Sequence, residues 1–259
     1  MEGFGNPLRR LWREGRTIRN GWLAIPSILS AEVMARAGWD SLTIDMQHGT
    51  ADYADMLAML PVIQQTGTVP LVRVPWNEPA HIMRVLDAGA LGVICPMIEG
   101  AEDAARFVSA CLYPPRGMRS FGPIRARLAW GNGYGAASNR EILPLAMIET
   151  RGAVAALDDI LAVDGLAGVY IGPADLASDH GFPPAFDRTE PELLTIIEHI
   201  RVSAQARGLL AGIHCGTPDY AAGMAASGFD LVTIASDARF LEAGAAAALQ
   251  AFSANRPAG

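Results

Sequence analysis

The sequence contains no lysine; all 20 of its basic residues are arginine. A Schiff-base aldolase, a pyridoxal enzyme and a Walker-type phosphate loop each need a lysine amine, so all three are excluded. Cysteine is scarce. Cys95, Cys111 and Cys215 stand far apart, match no zinc-binding spacing, and read as reduced thiols, two of them at apparent strand ends and most simply core residues. No apolar run approaches the roughly 18 residues of a membrane span. Positive charge is also short: a net charge of −7 and a pI near 5.2 speak against nucleic acid as a partner, because phosphate contacts want a basic surface. The Arg-rich start, Leu8 to Asn20, lacks the apolar centre of a secretion signal. It reads as a helical lead-in over residues 1–20 of a cytoplasmic protein.

What is present is a repeating pattern. Short apolar runs predict strands at Leu23–Pro26, Ser41–Met46, Pro70–Val74, Gly92–Pro96, Leu145–Glu149, Gly168–Ile171, Leu209–His214 and Leu231–Ala235. Amphipathic stretches between and after them predict helices at Ala31–Ala37, Tyr53–Gln65, Ala80–Ala88, Ala101–Cys111, Gly152–Ala162, Glu190–Arg207 (with Thr189 as N-cap), Tyr220–Ala226 and Ala238–Ala251. Strands that are apolar throughout are those buried on both faces. Eight strand–helix pairs predict an α/β fold, one (β/α)8 TIM barrel spanning residues 1–259. An open Rossmann sheet would carry a glycine-rich first turn, and none follows the first predicted strand. The segment 113–140 is too long for an ordinary connection and holds Arg116, Arg119, Arg125 and Arg127. It is expected to be a functional loop near the active site, with subunit packing as the alternative.

In such a barrel the reactive groups belong at the C-terminal ends of the strands. Those ends carry Asp45 and His48, Arg73, Glu149, Asp175 and His214. Glu149 and Asp175 come from neighbouring strands and are the candidate metal ligands. Two carboxylates are too sparse for tetrahedral zinc; they suit Mg²⁺ or Mn²⁺, with Co²⁺ a further candidate, completed by water and substrate oxygens. The competing reading makes them helix caps or partners of arginine. Arg73 fits a substrate carboxylate or an enolate oxygen, or else a buried ion pair with Asp45. His48 is a candidate general acid/base oriented by Asp45, against the plainer reading of a structural histidine. Together these groups describe metal-assisted enolate chemistry on a 2-oxo acid, with an aldehyde released or captured, in place of the missing lysine.

At these positions the sequence resembles the HpcH/HpaI aldolase family. The resemblance rests on Ile44-Asp45-Met46-Gln47-His48, Val72-Arg73-Val74-Pro75, Asp87-Ala88-Gly89-Ala90-Leu91-Gly92, Tyr113-Pro114-Pro115-Arg116-Gly117, Pro144-Leu145-Ala146-Met147-Ile148-Glu149-Thr150 and Ile171-Gly172-Pro173-Ala174-Asp175-Leu176, in that order. It runs from about Trp22 to past Asp237. The resemblance implies a class II, metal-dependent pyruvate aldolase with Glu149 and Asp175 on the metal. It implies Arg73 on the enolate, and His48 with Asp45 managing protons through a water. The 2-oxo acid carboxylate would lie against the backbone of Gly172, Pro173 and Ala174, with Trp22 lining the pocket. It also implies a homo-oligomer, a trimer or hexamer, with an exchanged C-terminal helix. Two positions depart from the better-known members: Met147 stands where they carry Gln, and Gln47 where they carry Glu. A 2-oxo acid decarboxylase, a CoA-ester lyase on the same metal core, and a non-catalytic metabolite-binding barrel are the alternative readings.

Overall fold

A computed structural model of the chain describes residues 4–254. The two ends of the expected 1–259 span, residues 1–3 and 255–259, lie outside the described residues. Eight parallel strands close on themselves in sequence order. They are β1 Ile18–Leu23, β2 Ser41–Asp45, β3 Val69–Arg73, β4 Gly92–Cys95, β5 Leu143–Ile148, β6 Gly168–Ile171, β7 Leu210–His214 and β8 Leu231–Ser236. The helices are α1 Pro7–Arg13, α2 Ile28–Ala35, α3 Tyr53–Gln65, α4 Pro79–Asp87, α5 Ala101–Cys111, α6 Ile124–Trp130, α7 Tyr134–Glu141, α8 Arg151–Ala155, α9 Leu157–Leu161, α10 Pro173–Asp179, α11 Pro191–Ala206, α12 Pro218–Ala226 and α13 Asp237–Ala254. The (β/α)8 barrel expected from the alternation is therefore the fold.

Alternation along each strand sorts side chains between two cores. Outward residues such as Val72, Val93, Ile148 and Val169 pack under the helices. Inward residues such as Leu71, Leu145, Met147 and Tyr170 fill the barrel. The inward parity also carries Trp22, Asp45, Arg73 and His214 to the C-terminal rim. The pairing of Asp45 with Arg73 across β2 and β3 sets those two side chains side by side.

Several expected elements differ in the folded chain. The first strand begins at Ile18 rather than Leu23, and the lead-in helix covers only Pro7–Arg13. The helix ends before Gly15, at φ 68°, a conformation costly for other residues. Arg19 and Asn20 disguised the strand: Arg19 pairs outward with Asp40, while the Asn20 amide is satisfied inside the barrel. Thr189 is not the cap of α11; Glu190 holds the N-cap position without a side-chain cap bond. The helix expected over Gly152–Ala162 is two short helices that meet at Ala156.

The segment 113–140 is not near the rim. It folds into α6 and α7 against the opposite end of the barrel. Arg119 is buried there, bonded to Asp87 Oδ1 at 2.6 Å, and the Trp130 indole donates to the Gly89 carbonyl at 2.8 Å. Asp87 to Gly89 lie just before β4, at the N-terminal side of the strands. The loop arginines thus serve packing within this chain: Arg125 bonds Ala88 and Gln64, and Arg116 pairs with Asp164.

Candidate active site

A cavity of about 400 Å³ opens at the C-terminal ends of the strands, lined among others by Trp22, Asp45, His48, Arg73, Asp175 and His214. Its floor is an ion pair. Arg73 Nε and Nη2 donate to the two carboxylate oxygens of Asp45 at 2.8 and 2.6 Å. Trp22 Nε1 donates to the same carboxylate at 3.2 Å, and the Arg73 guanidinium lies 4.8 Å from the Trp22 ring. Asp45 Oδ1 also receives the backbone N–H groups of Gln47 and His48. Burial would raise the Asp45 pKa, but these donors outweigh it and hold the carboxyl below its ordinary range. Asp45 thus meets His48 at the backbone N–H, and among the described residues no hydrogen bond joins its carboxylate to the imidazole. His48 itself is exposed at the lip of the cavity.

Glu149 follows the last residue of β5 and is buried; Asp175 stands in the first turn of α10, after β6, and is exposed. Glu149 Oε1 accepts the Met97 N–H at 2.8 Å. A Cβ on Gly172 would stand 2.5 Å from Glu149 Oε2 and 2.9 Å from Met147 Cε, so glycine here leaves room for the carboxylate. The Glu149 carboxyl is pushed up to about 7, first by burial and further by the negative charges of Asp175 and Glu99. The Met97 N–H and Arg73 act in the opposite sense. Two hard oxygen donors that repel each other, one of them buried, fit a divalent cation, which would relieve both penalties.

Other residues complete the lining of the cavity. Met147 presents its thioether inward from β5. Tyr170, inward from β6, stacks on Trp22 with ring centroids 5.9 Å apart. His214 stands edge-on to Trp22 at 4.8 Å and against Phe186 at 4.6 Å. Arg239, near the start of α13, lies 5.0 Å from the Phe186 ring. His214 was legible as a strand-end residue facing the mouth. Phe186 and Arg239 belong to segments whose path over the rim only the folded chain defines. Burial, with some help from the positive charge of Arg73, pushes the His214 imidazole down to about 3. The folded environment therefore disfavours the charged form of His214.

Comparison with known proteins follows the same lines. A family model described as HpcH/HpaI aldolase/citrate lyase matches residues 21–244. A hydroxypyruvate/pyruvate aldolase of Rhizorhabdus wittichii is 46% identical over 240 residues, covering 93% of this chain and 96% of the relative. A 4-hydroxy-2-oxo-heptane-1,7-dioate aldolase of Salmonella heidelberg is 35% identical over 254 residues, covering 97% and 96%. The crystal structure of an HpcH/HpaI aldolase/citrate lyase family protein from Burkholderia cenocepacia superimposes with a TM-score of 0.88 at 30% identity. That match covers 96% of this chain and 99% of the other.

Proposed function

Because the chain belongs to the HpcH/HpaI aldolase/citrate lyase family and is a carbon–carbon lyase, we propose that it cleaves and forms 4-hydroxy-2-oxo acids by way of a pyruvate or hydroxypyruvate enolate and an aldehyde. What supports this reading most is that Arg73 and Asp175 line one cavity and that the charges of both act on the buried Glu149 carboxylate.

Glu149 and Asp175 are the residues to hold the divalent ion, Mg²⁺ or Mn²⁺. When bound, such an ion supplies Lewis acidity toward the carboxylate and ketone oxygens of the 2-oxo acid. Arg73 spends Nε and one Nη2 hydrogen on Asp45 and keeps its other donors for the oxygen that gains charge as the enolate forms. Asp45 keeps the guanidinium in place. The substrate carboxylate lies along Gly172, Pro173 and Ala174. Proline has no N–H and the Gly172 N–H donates to the Ile148 carbonyl at 3.4 Å, so Ala174 is the donor of this trio that can face it. His48, at the lip, takes the C4 hydroxyl proton through a water during cleavage and returns it during synthesis. Trp22 forms the wall. Met147 places a thioether where a hydrogen-bonding amide would select among substituents at C3, which suits either donor.

The working unit is proposed to be one barrel domain in a cytoplasmic homo-oligomer, a trimer or hexamer. Leu241 and Leu249 of α13 and Leu29 and Val33 of α2 are exposed apolar residues, and their burial between copies would favour association. Product analysis tests the chemistry: the metal-loaded enzyme, given 4-hydroxy-2-oxo acids, is expected to release a 2-oxo acid and an aldehyde in equal amounts. Carbon dioxide as the only product, or no turnover across the substrate panel, would overturn the assignment.

A further inference from the structure

A chain of hydrogen bonds runs through the barrel interior to His214. Ser41 Oγ and Thr43 Oγ1 donate to Asn20 Oδ1 at 2.8 and 3.1 Å. Asn20 Nδ2 donates to Thr233 Oγ1 at 2.8 Å. Thr233 Oγ1 lies 2.7 Å from the Tyr170 hydroxyl, which lies 3.1 Å from His214 Nδ1. The register supports the path, since Asn20 pairs with both Ser41 and Thr233, and Thr233 with His214.

The direction of this chain follows from proton counting. The Ser41 and Thr43 protons need an acceptor, and Asn20 Oδ1 serves both. That orients the Asn20 amide so that Nδ2 faces Thr233. Thr233 then has its own proton to place, and among the described residues the Tyr170 oxygen is its neighbour. Tyr170 in turn donates to His214 Nδ1. An imidazole that accepts at Nδ1 and stays neutral carries its proton on Nε2. His214 lines the cavity, and among the described residues no protein partner takes that N–H.

We propose that His214 is a catalytic residue of a kind distinct from His48: an Nε2–H donor, set by the Asn20–Thr233–Tyr170 chain, that holds the acceptor carbonyl oxygen, the oxygen on C4 of the aldol. Arg73 and the carboxylate pair serve the keto acid, and His214 stands on the Trp22–Phe186 wall beside them, where the second substrate must enter. During cleavage the C4 oxygen passes from hydroxyl to carbonyl, and a neutral donor steadies the partial negative charge without supplying a competing proton. Tyr170 is a positioning residue that fixes the tautomer. The inference rests on the aldolase reading above.

The test uses metal-loaded full-length enzyme labelled with 15N-histidine. The His214 signal is expected in the Nε2–H form and constant from pH 5 to pH 8. Tyr170→Phe is expected to mix the tautomers and bring in a titration. In kinetics, His214→Leu is expected to lower aldol kcat/KM by about 100-fold, the scale of one lost oxyanion donor. Exchange of the pyruvate C3 protons with solvent, which needs no acceptor, is expected to fall far less. His214→Gln, which keeps an N–H donor, should recover part of the loss with an unchanged pH profile. An Nδ1–H tautomer, or equal losses in exchange and aldol turnover, would overturn the role of His214. Wild-type enzyme that exchanges no C3 protons and cleaves no aldol would instead remove the aldolase reading, and the proposal with it.

Discussion

The backbone N–H of Met97 donates to Glu149 across 2.8 Å from a residue held at φ 53°. Side chains with a Cβ rarely adopt that conformation, and each residue kept there costs on the order of 1–2 kcal/mol. Met97 follows β4 by two residues, so the bent backbone turns an N–H toward the end of β5 instead of continuing the strand.

Met97→Val, β-branched at a left-handed position, is therefore expected to destabilise the fold by about 1–3 kcal/mol and to weaken divalent-ion binding. Met97→Gly removes the Cβ strain and should keep the ion affinity. Thermal melts and Mn²⁺ titration of both variants check this. Equal Mn²⁺ affinity in Met97→Val and the wild type would show that the N–H does not position Glu149.

Removal of the divalent ion should stop the reaction. Treatment with EDTA is expected to abolish 2-oxo acid release, and added Mn²⁺ or Mg²⁺ to restore it. Gly172→Ala gives a second measure. Its Cβ would occupy space 2.5 Å from Glu149 Oε2, so the variant should need a higher ion concentration for half-maximal activity. Undiminished turnover by metal-free enzyme would count against the Glu149–Asp175 site.

Arg73 has two tasks that a single substitution mixes. Arg73→Ala leaves Asp45 buried without its cation, a change expected to cost roughly 3–5 kcal/mol. Arg73→Lys keeps a positive charge but cannot bind two oxygens side by side. It should retain more stability and still lose about 10²–10³ in kcat. Circular dichroism and steady-state kinetics on the two variants separate the tasks. Normal kcat in Arg73→Lys would reduce Arg73 to a counter-ion of Asp45.

The half-buried imidazole of His214 makes stability depend on pH. Its folded pKa is depressed from 6.5 to about 3, so between those values the unfolded chain binds a proton that the folded chain refuses. Stability should therefore rise with pH across that window and gain nothing further from this group above it. His214→Gln is expected to flatten the slope of denaturant-measured stability between pH 4 and pH 6.5. An unchanged slope would mean that His214 protonates in the folded enzyme.

The limits of sequence reading show at particular places. The strand now running Ile18–Leu23 was expected five residues later because Arg19 and Asn20 interrupt its apolar pattern. Their partners, Asp40, Thr233, Ser41 and Thr43, are distant in sequence. The 113–140 segment was expected near the active site because of its length and its four arginines. Yet Arg119 finds Asp87, and Trp130 finds Gly89, at the far end of the barrel. Length alone carries no information about which end of a barrel a connection covers.

The chain by itself determined the class of fold and the types of group available: eight apolar runs separated by helices, no amine for a covalent aldolase, and acids, an arginine and a histidine where runs end. Those are local or compositional properties, and they survive without knowledge of neighbours. Only closure of the sheet decided which parity of each strand faces inward. That choice set Arg73 against Asp45, gave the Glu149 carboxylate the space beside Gly172, and linked Asn20 through Thr233 and Tyr170 to His214. Strands apolar on both faces do not announce their inner face, and hydrogen bonds across more than 200 residues of chain have no trace in any short window of sequence.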